Sequence, residues 1–203
     1  MTIKLCSDII DKQDIDNLVS WLQTLPKLTK GEKTLQFEEA FSSYLGCENS
    51  IFCNSGSSAN LLITSALIQS GLLRNKKIVV PQVSWSTTVF PAMQLGMQPI
   101  MCDCSMSNLG IDLDHFKWLV ENHKPSALIL VHVLGLDSNI EKVVQICEDN
   151  GIILIEDTCE SLGSVTSGSK LGSFGLASSF SFYFGHHIST IEGGMVCTSD
   201  KDF

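Results

Sequence analysis

Short, fully apolar runs alternate along this chain with longer stretches whose apolar positions recur at helical spacing. Ala127-Leu-Ile-Leu-Val131 and Ile152-Ile-Leu-Ile155 are apolar at every position, as in strands covered on both faces. This pattern predicts strands at 50–53, 77–81, 98–103, 127–132, 152–156, 178–182 and 195–198, and helices at 11–24, 34–44, 58–69, 86–95, 112–121 and 139–150. Two helix entries carry expected caps, Asp112 ahead of Leu113-Asp114 and Ser138 two residues before Ile140-Glu141. The alternation implies an α/β fold, a doubly wound sheet flanked by helices. No internal repeat, low-complexity tract or linker interrupts it.

Composition narrows the partners. With 203 residues, 44% hydrophobic and 17% charged, the chain has enough apolar material for one well-buried domain. A net charge of −9 without a basic run argues against a nucleic-acid partner. A phosphorylated ligand stays open, because backbone amides at a helix start bind phosphate without net positive charge. Cysteines stand at 6, 47, 53, 102, 104, 147, 159 and 197, with no Cys-x-x-Cys pair. No metal is therefore expected, and most of these cysteines read as small buried apolar residues in a reducing compartment. Met1-Thr-Ile-Lys-Leu-Cys6 lacks the apolar core of a signal peptide, and no apolar run approaches the roughly 20 residues of a membrane span. The expectation is a cytoplasmic protein without membrane partners.

Four motifs follow predicted strands. Asn54-Ser-Gly-Ser-Ser-Ala-Asn60 opens a helix, and its small residues suit either phosphate binding or an ordinary capped turn. Asp157, in Glu156-Asp-Thr-Cys-Glu-Ser-Leu-Gly163, ends an apolar strand where open α/β sheets place ligands, or else caps a helix. Trp85, in Pro81-Gln-Val-Ser-Trp-Ser-Thr-Thr88, offers a flat aromatic face or core packing. Ser179-Phe-Ser-Phe-Tyr-Phe-Gly-His-His-Ile-Ser-Thr-Ile-Glu-Gly-Gly194 runs from a strand into two histidines and a double glycine. There Ser181 is either a ligand or the other face of a strand, and Tyr183 and Phe184 read as packing. His186 and His187 are a metal pair or a solvated turn; adjacent residues of extended chain point apart and seldom share one metal. His115 and His123 read as solvent-facing, and His132 as a hydrogen-bonded rim residue.

In order and spacing, these motifs resemble the DegT/DnrJ/EryC1/StrS family of sugar aminotransferases, which use pyridoxal 5'-phosphate (PLP). The resemblance implies the large domain of PLP fold type I: a seven-stranded, mostly parallel sheet flanked by helices, with 195–198 as its antiparallel member. It implies phosphate contacts from Gly56, Ser57, Ser58 and Ser181, ring stacking by Trp85, a pyridinium partner in Asp157, and Glu160 beside the cofactor hydroxyl. His186 falls where the family carries its Schiff-base lysine, and no lysine occurs between Lys170 and Lys201. Histidine forms no covalent imine but still moves a proton near neutral pH.

The wording Gly-Ser-Ser-Ala-Asn-Leu-Leu and Tyr-Phe-Gly-His-His is similar to the histidine-bearing branch of that family. Its members are 3-dehydratases acting on GDP-4-keto-6-deoxy-D-mannose, toward colitose. The implied reaction uses L-glutamate to form pyridoxamine 5'-phosphate (PMP) and then removes the hydroxyl on carbon 3 of the nucleotide sugar. Three alternatives remain: an iron–sulfur 3-dehydratase acting on CDP-4-keto-6-deoxyglucose, a sugar aminotransferase, and an inactive fragment. The resemblance also implies that residues 1–203 are the N-terminal part of the large domain, that a small C-terminal domain lies outside this chain, and that the full-length protein is a homodimer.

Overall fold

The computed structural model describes residues 10–203; the amino-terminal reading and Cys6 lie outside the described residues. After α1 (Lys12–Leu22) and α2 (Glu32–Leu45), strands and helices alternate: β1 (Asn49–Cys53), α3 (Gly56–Gln69), β2 (Lys77–Pro81), α4 (Ser86–Gln94), β3 (Gln98–Cys102), α5 (Leu113–His123), β4 (Ala127–Val131), α6 (Ile140–Asn150) and β5 (Ile153–Asp157). A small hairpin, β6 (Val165–Thr166) and β7 (Ser169–Lys170), precedes the closing strands β8 (Ala177–Ser181) and β9 (Gly194–Thr198).

Seven strands form one sheet in the order β1-β9-β8-β5-β4-β2-β3. β9 runs antiparallel to both β1 and β8, while the others are mutually parallel. The predicted architecture, with 195–198 as the antiparallel member, is therefore present. In β4 the side chains divide between two layers. Leu128 and Leu130 pack under α5 and α6 with Phe116, Leu119, Ile140 and Val143, whereas Ala127 and Ile129 pack with Ala59, Ile63 and Leu67 of α3 and Ala92 of α4. Fully burying each aliphatic side chain contributes about 1.5–3 kcal/mol, so this strand needs apolar residues at every position. A third, aromatic layer seats α2, with Phe37, Phe41, Phe52, Phe180 and Phe182 in edge, tilted and stacked contacts.

Helix entries follow local chemistry. Asp112 caps α5 by accepting the His115 N–H at 2.7 Å, as expected. Ser138 does not cap α6: its hydroxyl donates to the Val131 carbonyl, and Asp137 accepts the Ile140 N–H instead. α1 is capped reciprocally by Asp11 and Asp14 but buries no residue, leaving Ile15, Leu18, Val19 and Leu22 exposed. Among the described residues, no helix is long and apolar enough to cross a membrane.

Candidate active site

Because β1, β2, β4, β5 and β8 are parallel, their carboxyl ends share one edge of the sheet, and every motif singled out above follows one of them. β9 enters at the same edge, so Gly194 lies between Cys53 and Ser181 in register.

α3 starts at Gly56, with Ser55 as its cap. The Ser55 hydroxyl accepts the Ser58 N–H and donates to the Ser58 hydroxyl, both at 3.1 Å. The amides of Gly56 and Ser57, in the first turn, have no intrahelical acceptor. They make a binding point for an anion at the positive end of a helix of 14 residues. Ser58 is thus committed to the cap, whereas the exposed Ser57 hydroxyl donates to Thr87 at 3.0 Å, latching α3 to α4.

Gly56 is also where two neighbours close in. A Cβ there would lie 2.7 Å from the Ser181 Cβ and 2.8 Å from the Cys159 sulfur, so only glycine admits this close approach of α3 to both. Burial pushes the Cys159 thiol well above its ordinary range, with the nearby Asp157 carboxylate reinforcing it, so this sulfur is a neutral wall. On the other side Gly194 abuts the loop itself: a Cβ there would stand 2.2 Å from the Ser55 carbonyl oxygen. Gly194→Ala is expected to cost about 1–3 kcal/mol or more through overpacking, read as a lower urea midpoint with unchanged slope.

The adjacent acids at the end of β5 have separate tasks. Glu156 is fully buried; it pairs with His132 Nε2 at 3.0 Å and accepts the backbone N–H groups of Gly172, Phe174 and Gly175. It braces the segment leading into β8. Asp157 faces the helices instead. Its Oδ2 accepts from Asn60 Nδ2 at 2.8 Å and Thr88 Oγ1 at 2.9 Å, and its Oδ1 accepts the Cys159 N–H at 3.2 Å. Charge-assisted bonds of this kind are the strong ones, and here they fix the carboxylate's orientation. Glu160 holds the Leu134 N–H at 2.9 Å, and Leu134 has a φ of 54°, a left-handed conformation that costs a leucine energy. Glu160 therefore pins the turn after β4.

Trp85 caps α4 and is 74% exposed, so the packing alternative fails and its ring is available. Ser181 ends β8 half-buried, and its hydroxyl accepts the Tyr183 N–H at 3.4 Å. Tyr183 and Phe184 are not packed in the core as expected: the strand ends at Ser181, and both rings are exposed, in contact with each other. His186 is half-buried in the loop to β9, its backbone N–H donating to the Tyr183 carbonyl at 2.9 Å, while His187 is exposed. Burial pushes the His186 imidazole below its ordinary 6.5; the Glu160 and Asp157 carboxylates oppose this, and His187 adds to it. These influences bring His186 into the same field as Asp157 and Glu160.

Three other histidine readings change. His132 is not on the rim but wholly buried against Glu156. His115 and His123 are half-buried beside Trp118, and His115 Nδ1 accepts the Asp103 N–H. Sequence reasoning passed over Asn60 and Thr88, the two residues that hold Asp157. Asn60 carried a signal: it is an amide placed among Ala59, Ile63 and Leu67, the apolar residues that α3 buries.

First-turn amides at Gly56 and Ser57, an anchored carboxylate at Asp157, an exposed ring at Trp85 and a half-buried imidazole at His186 are the kinds of group that could hold a phosphorylated pyridine. Glycine at 56 and 194 lets the start of α3, the end of β8 and the start of β9 pack in direct contact, which holds these groups together at one edge.

The chain is 36% identical over 201 residues to GDP-4-keto-6-deoxy-D-mannose 3-dehydratase of Yersinia pseudotuberculosis, covering 98% of this chain and 51% of the relative. It therefore spans about half the length of that relative. A GDP-4-keto-6-deoxymannose-3-dehydratase crystallised with a trapped PLP-glutamate geminal diamine superposes with a TM-score of 0.91 and 34% identity, over 98% of this chain and 52% of that one. A variant of such an enzyme, with histidine replaced by asparagine and GDP-perosamine bound, superposes with a TM-score of 0.90 and 34% identity, over 97% of this chain and 51% of that one. The profile of the DegT/DnrJ/EryC1/StrS aminotransferase family matches residues 8–203, and the chain belongs to that family.

Proposed function

We propose that this chain is the N-terminal part of the large domain of a PLP-dependent 3-dehydratase acting on a nucleotide-linked 4-keto-6-deoxy sugar. The observation that carries this reading is His186. A half-buried imidazole, acted on by the Asp157 and Glu160 carboxylates, stands in a loop whose surroundings from Leu171 to Asp200 contain no lysine. An aminotransferase of this family needs a lysine there; a dehydratase needs only a base.

In this reading Gly56 and Ser57 bind the cofactor phosphate through their amides, with Ser181 beside them and Ser58 supporting the turn. Trp85 covers the ring, Asp157 pairs with its nitrogen, and Glu160 orients its hydroxyl. Bound there, the cofactor supplies an electron sink and, as PMP, the amine that engages the sugar's ketone. His186 takes the proton and positions it for the departure of the carbon-3 hydroxyl. GDP-4-keto-6-deoxy-D-mannose is the substrate and L-glutamate the amine donor, supported by the relatives' names and by the PLP-glutamate adduct of one of them. The pathway is of the colitose type, and the full-length protein works as a homodimer with a small C-terminal domain.

Without a lysine, the cofactor is held by reversible contacts alone. Borohydride treatment of the full-length protein loaded with PLP is expected to leave no cofactor attached to the chain by mass spectrometry. A covalent adduct would overturn the reading. The pH dependence follows from the sign of the His186 shift. The base is active when neutral, so activity falls only as pH drops through its lowered value. The acidic limb of kcat/KM is expected below pH 6.5, and a limb at or above that value would contradict a desolvated His186.

A further inference from the structure

Away from this site, α2 ends at Leu45 and the turn through Gly46 carries Cys47 to the seam where β1 pairs with β9. Four polar side chains meet there. The Ser50 hydroxyl receives the Ser42 hydroxyl at 2.8 Å and contacts the sulfurs of both Cys47, at 3.5 Å, and Cys197, at 3.3 Å. Cys197 is buried against the aromatic layer under α2, while Cys47 is half-buried and borders an open surface depression that Glu38, Glu39 and Glu48 also line. One sulfur is thus reachable from solvent and the second lies behind it, both on one serine oxygen.

We propose that Cys47 and Cys197 are a reactive thiol pair, in which a small neutral hydroperoxide oxidises Cys47 and Cys197 then closes a disulfide. The local chemistry supports the order of events. Hydrogen bonding from Cys197, aided by Ser50 and Ser42, brings the Cys47 thiol down to about 6 against the opposing effect of burial. Burial foremost, with the bond to Cys47, pushes Cys197 up. Cys47 is therefore the attacking thiolate and Cys197 the thiol that resolves it.

In the first step the Cys47 sulfur attacks the peroxide. A sulfur–oxygen bond forms, the oxygen–oxygen bond breaks, and the alkoxide or hydroxide leaves with the proton Cys47 had lost. In the second, the Cys197 sulfur attacks the sulfenic sulfur. A disulfide forms, the sulfur–oxygen bond breaks, and the hydroxyl leaves as water with the Cys197 proton. The two thiols are oxidised by two electrons, and the hydroperoxide is reduced. The acidic rim selects the reagent: carboxylates at Glu38, Glu39 and Glu48 repel anionic oxidants such as glutathione disulfide and leave a neutral peroxide unhindered.

The test treats the full-length protein with hydrogen peroxide and maps cysteine oxidation by peptide mass spectrometry. A Cys47–Cys197 linked peptide is expected, with Cys197→Ser instead giving dimedone-trapped sulfenic acid at Cys47. On the unmodified protein, Cys47 should react with iodoacetamide at pH 6 about tenfold faster than free cysteine in the same solution, and its preference for iodoacetamide over anionic iodoacetate should exceed that of free cysteine. Oxidation that bypasses Cys47, a disulfide with a different partner, or a reagent preference no greater than that of free cysteine would overturn the proposal. The alkylation comparison decides it even where Cys197→Ser fails to fold.

Discussion

His186→Asn in the full-length protein is expected to lower the rate of carbon-3 dehydration by 10²–10⁴-fold while leaving cofactor affinity nearly unchanged. That range is the usual contribution of a positioned general base. Asparagine keeps a polar side chain of similar reach but takes no proton near neutral pH. The contacts proposed to retain the cofactor come from other elements: the α3 amides, Ser181 at the end of β8, and Asp157 at the end of β5. Single-turnover measurement of deoxygenation and a PLP titration by absorbance separate the two effects. His187→Asn is the control, since that ring is exposed. Loss of activity in His187→Asn with retention in His186→Asn would shift the assignment by one residue, and retention in both would make the histidines structural.

Asp157→Asn is expected to act on two levels. All three groups that reach this carboxylate are donors: Asn60 and Thr88 on Oδ2, and the Cys159 N–H on Oδ1. An asparagine amide turned either way presents its own N–H groups to a donor, so one buried donor loses its acceptor at about 1–3 kcal/mol. The lost negative charge also removes the partner of the cofactor nitrogen. Truncating one side of a buried charge pair costs about 2–5 kcal/mol, which predicts a further loss on the order of 10²–10³-fold in kcat/KM. Thermal unfolding of the cofactor-free protein reads the first effect, and steady-state kinetics the second. Asn60→Ala and Thr88→Val should each give a smaller version of both.

Much of this arrangement is written in local pattern. β4 and β5 are legible because a strand buried on both faces must be apolar throughout, and the carboxyl end of β5 then places Asp157 at the binding edge. The entry of β9 is legible in Glu-Gly-Gly, since the second glycine abuts the Ser55 carbonyl. Other features depend on distant contacts. Asn60 and Thr88 reach Asp157 across 97 and 69 positions of sequence, and no local window reports that. The β6–β7 hairpin has two residues per strand, too short for a period of two to register. Ser138 looks like a cap, but Asp137 does that work because the Ser138 hydroxyl is drawn back to the end of β4. Tyr183 and Phe184 follow an apolar strand and read as its continuation, yet the chain leaves the sheet at Ser181.

The most direct test of the central claim follows the amino nitrogen of glutamate. The full-length protein would be incubated with PLP, GDP-4-keto-6-deoxy-D-mannose and glutamate carrying an isotopically labelled amino group. A dehydratase with His186 as its base predicts labelled free ammonia together with an unlabelled 3-deoxy keto sugar. Label retained in a 4-amino sugar whose carbon-3 hydroxyl is intact would contradict it.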